Sequence, residues 1–262
     1  MSYREEGSET SSNGLKKLGG ILVAALAFGV AKVAVRSGID FAQQKSVTSA
    51  ALESKIEANE TVGPTANAMK QYFPAQYHDW TNHVAEMIRA GASKDELFAY
   101  GFEYSRNLIK GHTKEIAAAS DSTLAAVAQQ NFDVAQALSA ESKEACAEFG
   151  FEGLRPQTAQ QLTQTTVSKT SSTMPLMLRA AYEGERQPTA RPGQLRKEDA
   201  AALLAAIKRM GLSEKEVDEL FNGNAQREDV LTKCRMTTSL YGATASLPEA
   251  TAARVTAVLL AE

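Results

Sequence analysis

Residues 16–36, KKLGGILVAALAFGVAKVAVR, decide whether this chain is a bundle of helices alone or a bundle held against a membrane. At 1.5 Å per residue the uncharged run 18–31 reaches only about 21 Å, short of a hydrocarbon core about 30 Å thick. If Lys32 lays its methylenes along the helix and lifts its ammonium to the headgroups, the apolar span extends over 18–35, within the usual range for a crossing helix. The residues that would face lipid are Leu18, Ile21, Leu22, Val23, Leu26, Phe28, Val30, Val33 and Val35. Lys32 sits near one end of the span, where snorkelling removes most of the cost of an intramembrane charge.

Two other readings compete. A cleaved signal peptide would also start basic, at Lys16 and Lys17, and Gly29, Val30 and Ala31 offer a small-x-small cleavage site. Residues 1–15, however, carry Glu5, Glu6 and Glu9, a long acidic lead that fits a polar, disordered tail better than the start of a signal. Apolar runs of 10–14 residues are also common in buried core helices. The expectation is an uncleaved anchor over 16–62, its helix continuing past the membrane as a polar stalk that lifts the domain off the membrane, or that packs on that domain or on another chain. The positive-inside count is tied between Arg4, Lys16 and Lys17 on one side and Lys32, Arg36 and Lys45 on the other. The Lys16–Lys17 pair at the membrane edge favours a cytoplasmic N-terminus, which puts the helical domain on the extracytoplasmic side.

Composition bounds the rest. The chain has 262 residues, 44% hydrophobic and 23% charged, ordinary values for a globular protein with a real core. Its net charge of -3 and the absence of any Lys/Arg cluster without interleaved Asp and Glu argue against a nucleic-acid binder. Alanine is roughly one residue in six and β-branched runs are sparse, which points to an all-α fold.

Helical patterns then divide the chain into a bundle unit at 63–150 and a second at 151–262, with a Pro/Gly-rich linker at about 184–195. In PAQYHDWTNHVAEMIRAG, Tyr77, Trp80, Val84, Met87 and Ile88 share a face, Pro74 suits the start and Gly91 the stop. Ser93 and Glu96 form a capping box opening a second helix, lined by Leu97, Gly101, Tyr104 and Leu108 with Phe98 and Phe102 beside them. Leu124, Val127, Val134 and Leu138 mark a third. The Thr/Ser-rich stretch before Pro175 predicts a break or kink there, and Ser213 with Glu216 repeats the capping box.

Candidate chemistry is thin. Cys146 and Cys234 are 88 positions apart: they are either one disulfide in an oxidising envelope compartment or two independent buried thiols. His78 and His83 are five apart, a rotation of about 140° on a helix, so they diverge rather than share a metal. Eight aromatics crowd the stretch 72–104, and both faces around 98–104 carry rings, so Tyr100, Phe102 and Tyr104 are candidates for contact with an unidentified protein partner. No catalytic, cofactor or metal constellation stands out. The functional expectation is a membrane-anchored envelope protein whose helical domain binds or scaffolds. Its alternatives are a cell-wall hydrolase using Glu103 as a positioned acid, or a helical inhibitor or immunity-type protein.

Overall fold

The structure, a computed structural model, describes residues 47–260. The polar tail 1–15 and all nine residues of the expected anchor lie outside the described residues. Among the described residues there is no strand, and no helix is long and apolar enough to cross a membrane.

The helices are α1 (Ser49–Glu57), α2 (Gly63–Tyr72), α3 (Pro74–Arg89), α4 (Lys94–Gly111), α5 (Thr113–Ala117), α6 (Asp121–Glu141) and α7 (Lys143–Phe151). They are followed by α8 (Pro156–Gln160), α9 (Gln164–Ser171), α10 (Thr173–Arg186), α11 (Lys197–Arg209) and α12 (Glu214–Asn222). A 3-10 turn (Ala225–Arg227) leads into α13 (Val230–Ala245) and α14 (Glu249–Leu260).

Local chemistry sets the helix starts. The hydroxyls of Thr48, Ser120 and Ser142 accept N–H groups at the first turns of α1, α6 and α7, and the Asp229 carboxylate does the same for α13. Both expected capping boxes form: Ser93 with Glu96 opens α4 and Ser213 with Glu216 opens α12. The break expected at Pro175 falls slightly earlier, between Ser171 and Thr173. This leaves Pro175 in the first turn of α10, where its missing N–H forfeits no intrahelical bond.

α6 is the axis of the molecule. Around it pack α7, α9, α10, α13 and α14, while α10 also covers α5 and α2. Leu124, Val127, Val134 and Leu138 of α6 are all fully buried. The strongest packing joins α6 and α7 to α13 and α14, so helices on either side of residue 150 build one continuous core. Two glycines permit the closest approaches. A β-carbon on Gly184 of α10 would stand 1.7 Å from the Glu115 carbonyl oxygen of α5, and one on Gly150 of α7 would stand 1.8 Å from Thr237 Oγ1 of α13.

The described part of the expected stalk packs on the bundle. Leu52 and Ile56, one turn apart on α1, are buried against α3 and α2, and Glu57 accepts hydrogen bonds from Lys70 Nζ at 2.8 Å and the Tyr77 hydroxyl at 2.9 Å. Ser49 donates to Asn82 at 2.6 Å and Glu53 accepts from Thr81 at 3.1 Å, so polar ties as well as the i, i+4 apolar pair seat this short helix. The linker is likewise stitched down. Its first three residues finish α10, the Thr189 N–H donates to the Ala118 carbonyl at 2.7 Å, and Arg191 donates to the Ala117 carbonyl at 3.0 Å and to Asp121 at 2.5 Å.

Candidate functional site

The hairpin α11–α12 lies against the bundle chiefly through α11, which touches α13 and α14. The anchor is the Asp199–Arg254 pair. Asp199 in the first turn of α11 is 2% exposed, and its two carboxylate oxygens accept from Nη2 and Nε of Arg254 on α14, both at 2.7 Å. Those charge-assisted hydrogen bonds hold the Asp199 carboxyl below the usual carboxylate range against the opposing effect of burial. α12 has its own tie, from Glu216 to Arg235 of α13. Burial pushes the Glu216 carboxyl up, but the Ser213 N–H and hydroxyl together with Arg235 outweigh it, and the net direction is down.

Between the two helices runs a groove of about 420 Å³. Its apolar floor comes from Leu195, Leu203, Leu204, Val217 and Phe221. Leu203 and Val217 are buried, Leu195 and Phe221 half-buried, and Leu204 is exposed. The rim is polar. Near the turn, Lys208 donates to Glu214 at 3.1 Å; one turn further along α12, Asp218 accepts from Asn222 at 2.6 Å. Polar edges around an apolar floor are what a docking groove for a helix requires. The sequence signal was available: Val217, Leu220 and Phe221, at i, i+3 and i+4, form one apolar face of α12, of which Val217 and Leu220 are buried and Phe221 is half-buried at the groove.

The aromatics expected to meet a partner separate. Phe102 is 1% exposed, packed in the core beside Phe98 with ring centroids 6.3 Å apart, so it faces inward. Tyr100 and Tyr104 are half-buried and line a hollow of about 350 Å³ with Glu103, Asn107 and Leu108, all on α4. Tyr104 donates its hydroxyl to the Gln76 carbonyl at 2.7 Å, and Tyr100 lies against His83 with ring centroids 4.5 Å apart. Burial raises both phenols, Tyr104 to about 12, so neither ionises near neutral pH.

Glu103 is more than half exposed, 3.7 Å from Arg106 one turn on. That is the setting of a surface ion pair rather than of a buried proton donor. His78 lies 3.4 Å from Glu53, His83 4.0 Å from Glu86 and His112 3.9 Å from Glu115, three separate places. Among the described residues no group of three His, Cys, Asp or Glu side chains could hold a metal ion. Cys146 on α7 and Cys234 on α13 are brought together, their Cα atoms 5.0 Å apart and their sulfurs at bonding distance, both side chains buried. Set against models of known families, curated proteins and solved structures, the chain matches none.

Proposed function

We propose that this chain is a membrane-anchored helical module of the cell envelope that works by binding or scaffolding rather than by catalysis. The observation that carries the binding role is the groove between α11 and α12, an apolar floor of five side chains with a polar rim, tied to the bundle by Asp199–Arg254 and Glu216–Arg235. The membrane role rests on the apolar run 18–35. The Cys146–Cys234 pair supports an oxidising, extracytoplasmic setting for the helical domain, since bridges of this kind persist where thiols are not held reduced.

Incubating the purified full chain with cell-wall polymer separates this reading from the hydrolase that Glu103 would serve. Intact polymer is the expected result, and release of soluble saccharide that Glu103→Gln abolishes overturns the scaffold reading. A compartment-sensitive reporter fused after Glu262 tests the side: activity only in the extracytoplasmic form is expected, and activity only in the cytoplasmic form reverses the topology.

A further inference from the structure

A hollow of about 410 Å³ lies where the end of α11 meets α6, the start of α7 and α13, and it shares no residue with the α11–α12 groove. Its apolar walls are Phe132 of α6 and Met210, whose side chain is left 41% exposed. Phe132 closes on α13 because Gly242 carries no side chain: a β-carbon there would stand 2.8 Å from the ring. The polar side of the hollow carries Lys143 and Ser239.

Ser239 differs from its neighbours. Thr237, Thr238 and Thr244 of the same helix each donate the hydroxyl to a carbonyl four residues earlier. Ser239 is 5% exposed, yet its hydroxyl has no partner among the described residues, and the hollow is the side from which one can reach it. Lys143 is the one charged residue of the lining. Its Nζ donates to the Ser139 carbonyl at 2.6 Å and to Ser139 Oγ at 2.9 Å, both neutral oxygens, and it makes no ion pair among the described residues. The carboxylates nearest in sequence are engaged elsewhere, Glu141 by the Thr163 hydroxyl at 2.8 Å and Glu144 by Arg155 at 3.0 Å. An ammonium has three N–H groups, so one donor and the whole charge of Lys143 stay unmatched beside an unused, nearly enclosed hydroxyl.

We propose that this hollow binds a small organic carboxylate with an apolar body, the carboxylate held by the Lys143 ammonium and the Ser239 hydroxyl and the body laid against Phe132 and Met210. One cation and one hydroxyl match the single charge and two oxygens of a carboxylate; a phosphate ester, with up to two charges and three free oxygens, leaves charge and acceptors unmatched. A thioether facing an aromatic ring makes an adaptable wall for the body. The site goes beyond the scaffold reading and does not depend on it.

The test is titration of the full chain in detergent micelles with benzoate, followed by NMR through isotope-labelled methionine methyl groups, the Met210 resonance being assigned with Met210→Leu. A saturable shift of that resonance with a Kd on the order of 1 mM is expected, the affinity of a ligand of this size. Lys143→Gln and Ser239→Ala each weaken it about tenfold or more, the loss of a hydrogen bond to a charged group, and benzamide, of the same outline without the charge, binds at least about tenfold more weakly than benzoate. Circular dichroism melting of each variant shows that the bundle is intact. No shift up to about 20 mM benzoate overturns the proposal. So does a shift that neither substitution weakens, which then reports binding elsewhere or in the micelle, and so does benzamide binding as tightly as benzoate. A loss confined to Lys143→Gln overturns the Ser239 contact, and acetate binding as tightly as benzoate overturns the apolar wall. Phenyl phosphate binding about tenfold more tightly than benzoate overturns the carboxylate in favour of a phosphate ester. None of these readouts involves membrane attachment or the α11–α12 groove, so failure here is distinct from failure of the scaffold reading.

Discussion

Arg254 donates two parallel hydrogen bonds of 2.7 Å to the carboxylate of Asp199, fifty-five positions away, and so joins the start of α11 to the middle of α14. Removing one member leaves the other charge in a nearly closed site without its partner. Asp199→Asn is expected to cost about 3 kcal/mol in denaturant unfolding, the low end of the range for such pairs because the Arg254 side chain keeps 20% exposure. A loss below about 0.5 kcal/mol, the level of an ordinary surface pair, would show that the pair does not hold α11.

The same pair gives a pH dependence of known sign. The Asp199 carboxyl is depressed in the folded state, so its contribution is complete above the unfolded value of about 4 and is lost as pH falls through the lower folded value. Unfolding curves of the wild type and Asp199→Asn, far apart at neutral pH, should converge below about pH 4. Curves that converge instead on raising the pH would mean the carboxyl is shifted upward.

Cys146 and Cys234 close a loop of 88 residues between α7 and α13, on the helices that form the strongest contact in the bundle. Replacing both with alanine should lower stability by about 4 kcal/mol, mainly by freeing the unfolded chain. Alkylation of the unfolded, unreduced protein should modify neither sulfur. Two modified cysteines, or a loss under about 1 kcal/mol, would show that the thiols are independent.

Gly184 is where α10 crosses α5. With backbone on both sides, the 1.7 Å approach of a new β-carbon to the Glu115 carbonyl cannot be relieved by a side-chain rotation. Gly184→Ala should destabilise by at least about 2 kcal/mol, despite alanine's better helix propensity. A neutral or stabilising result in a thermal melt would mean that α10 and α5 are further apart.

The Ser213–Glu216 capping box holds the start of α12 and, through Glu216, its tie to Arg235. Ser213→Ala should cost about 1 kcal/mol and raise amide exchange across the first turn of α12 while α6 stays protected. Unchanged exchange in that turn would show that the box contributes nothing.

These elements were not equally legible in the sequence. α3 could be read directly, because Tyr77, Trp80, Val84 and Ile88 fall on one face and all are buried. The second helix was read with its face slightly rotated: the buried set is Leu97, Phe98, Gly101, Phe102, Ser105 and Ile109, and Ser105 hides in it by donating its hydroxyl to the Gly101 carbonyl at 2.9 Å. The same device obscures α9 and α13. Thr170, Ser171, Thr237 and Thr244 are buried with their hydroxyls bonded to carbonyls four residues earlier, so core positions carry polar letters and the apolar period disappears. The packing of α6 and α7 on α13 and α14 was hidden for a further reason. It brings together segments about a hundred residues apart, and periodicity names a buried face without naming what covers it. In the groove, Lys208, Asp218 and Phe221 were each visible as letters, but only the hairpin turn at Gly211 places them along one cleft.

The account's central claim, a helical module tethered to a membrane through residues 16–36, is tested most directly by separating broken cells into membrane and soluble fractions and washing the membranes with alkaline carbonate. The full chain should stay with the washed membranes, and deletion of residues 16–36 should release the folded remainder to the soluble fraction. Full-length protein, with its residues 1–46 verified by mass, recovered free in the soluble fraction would contradict it.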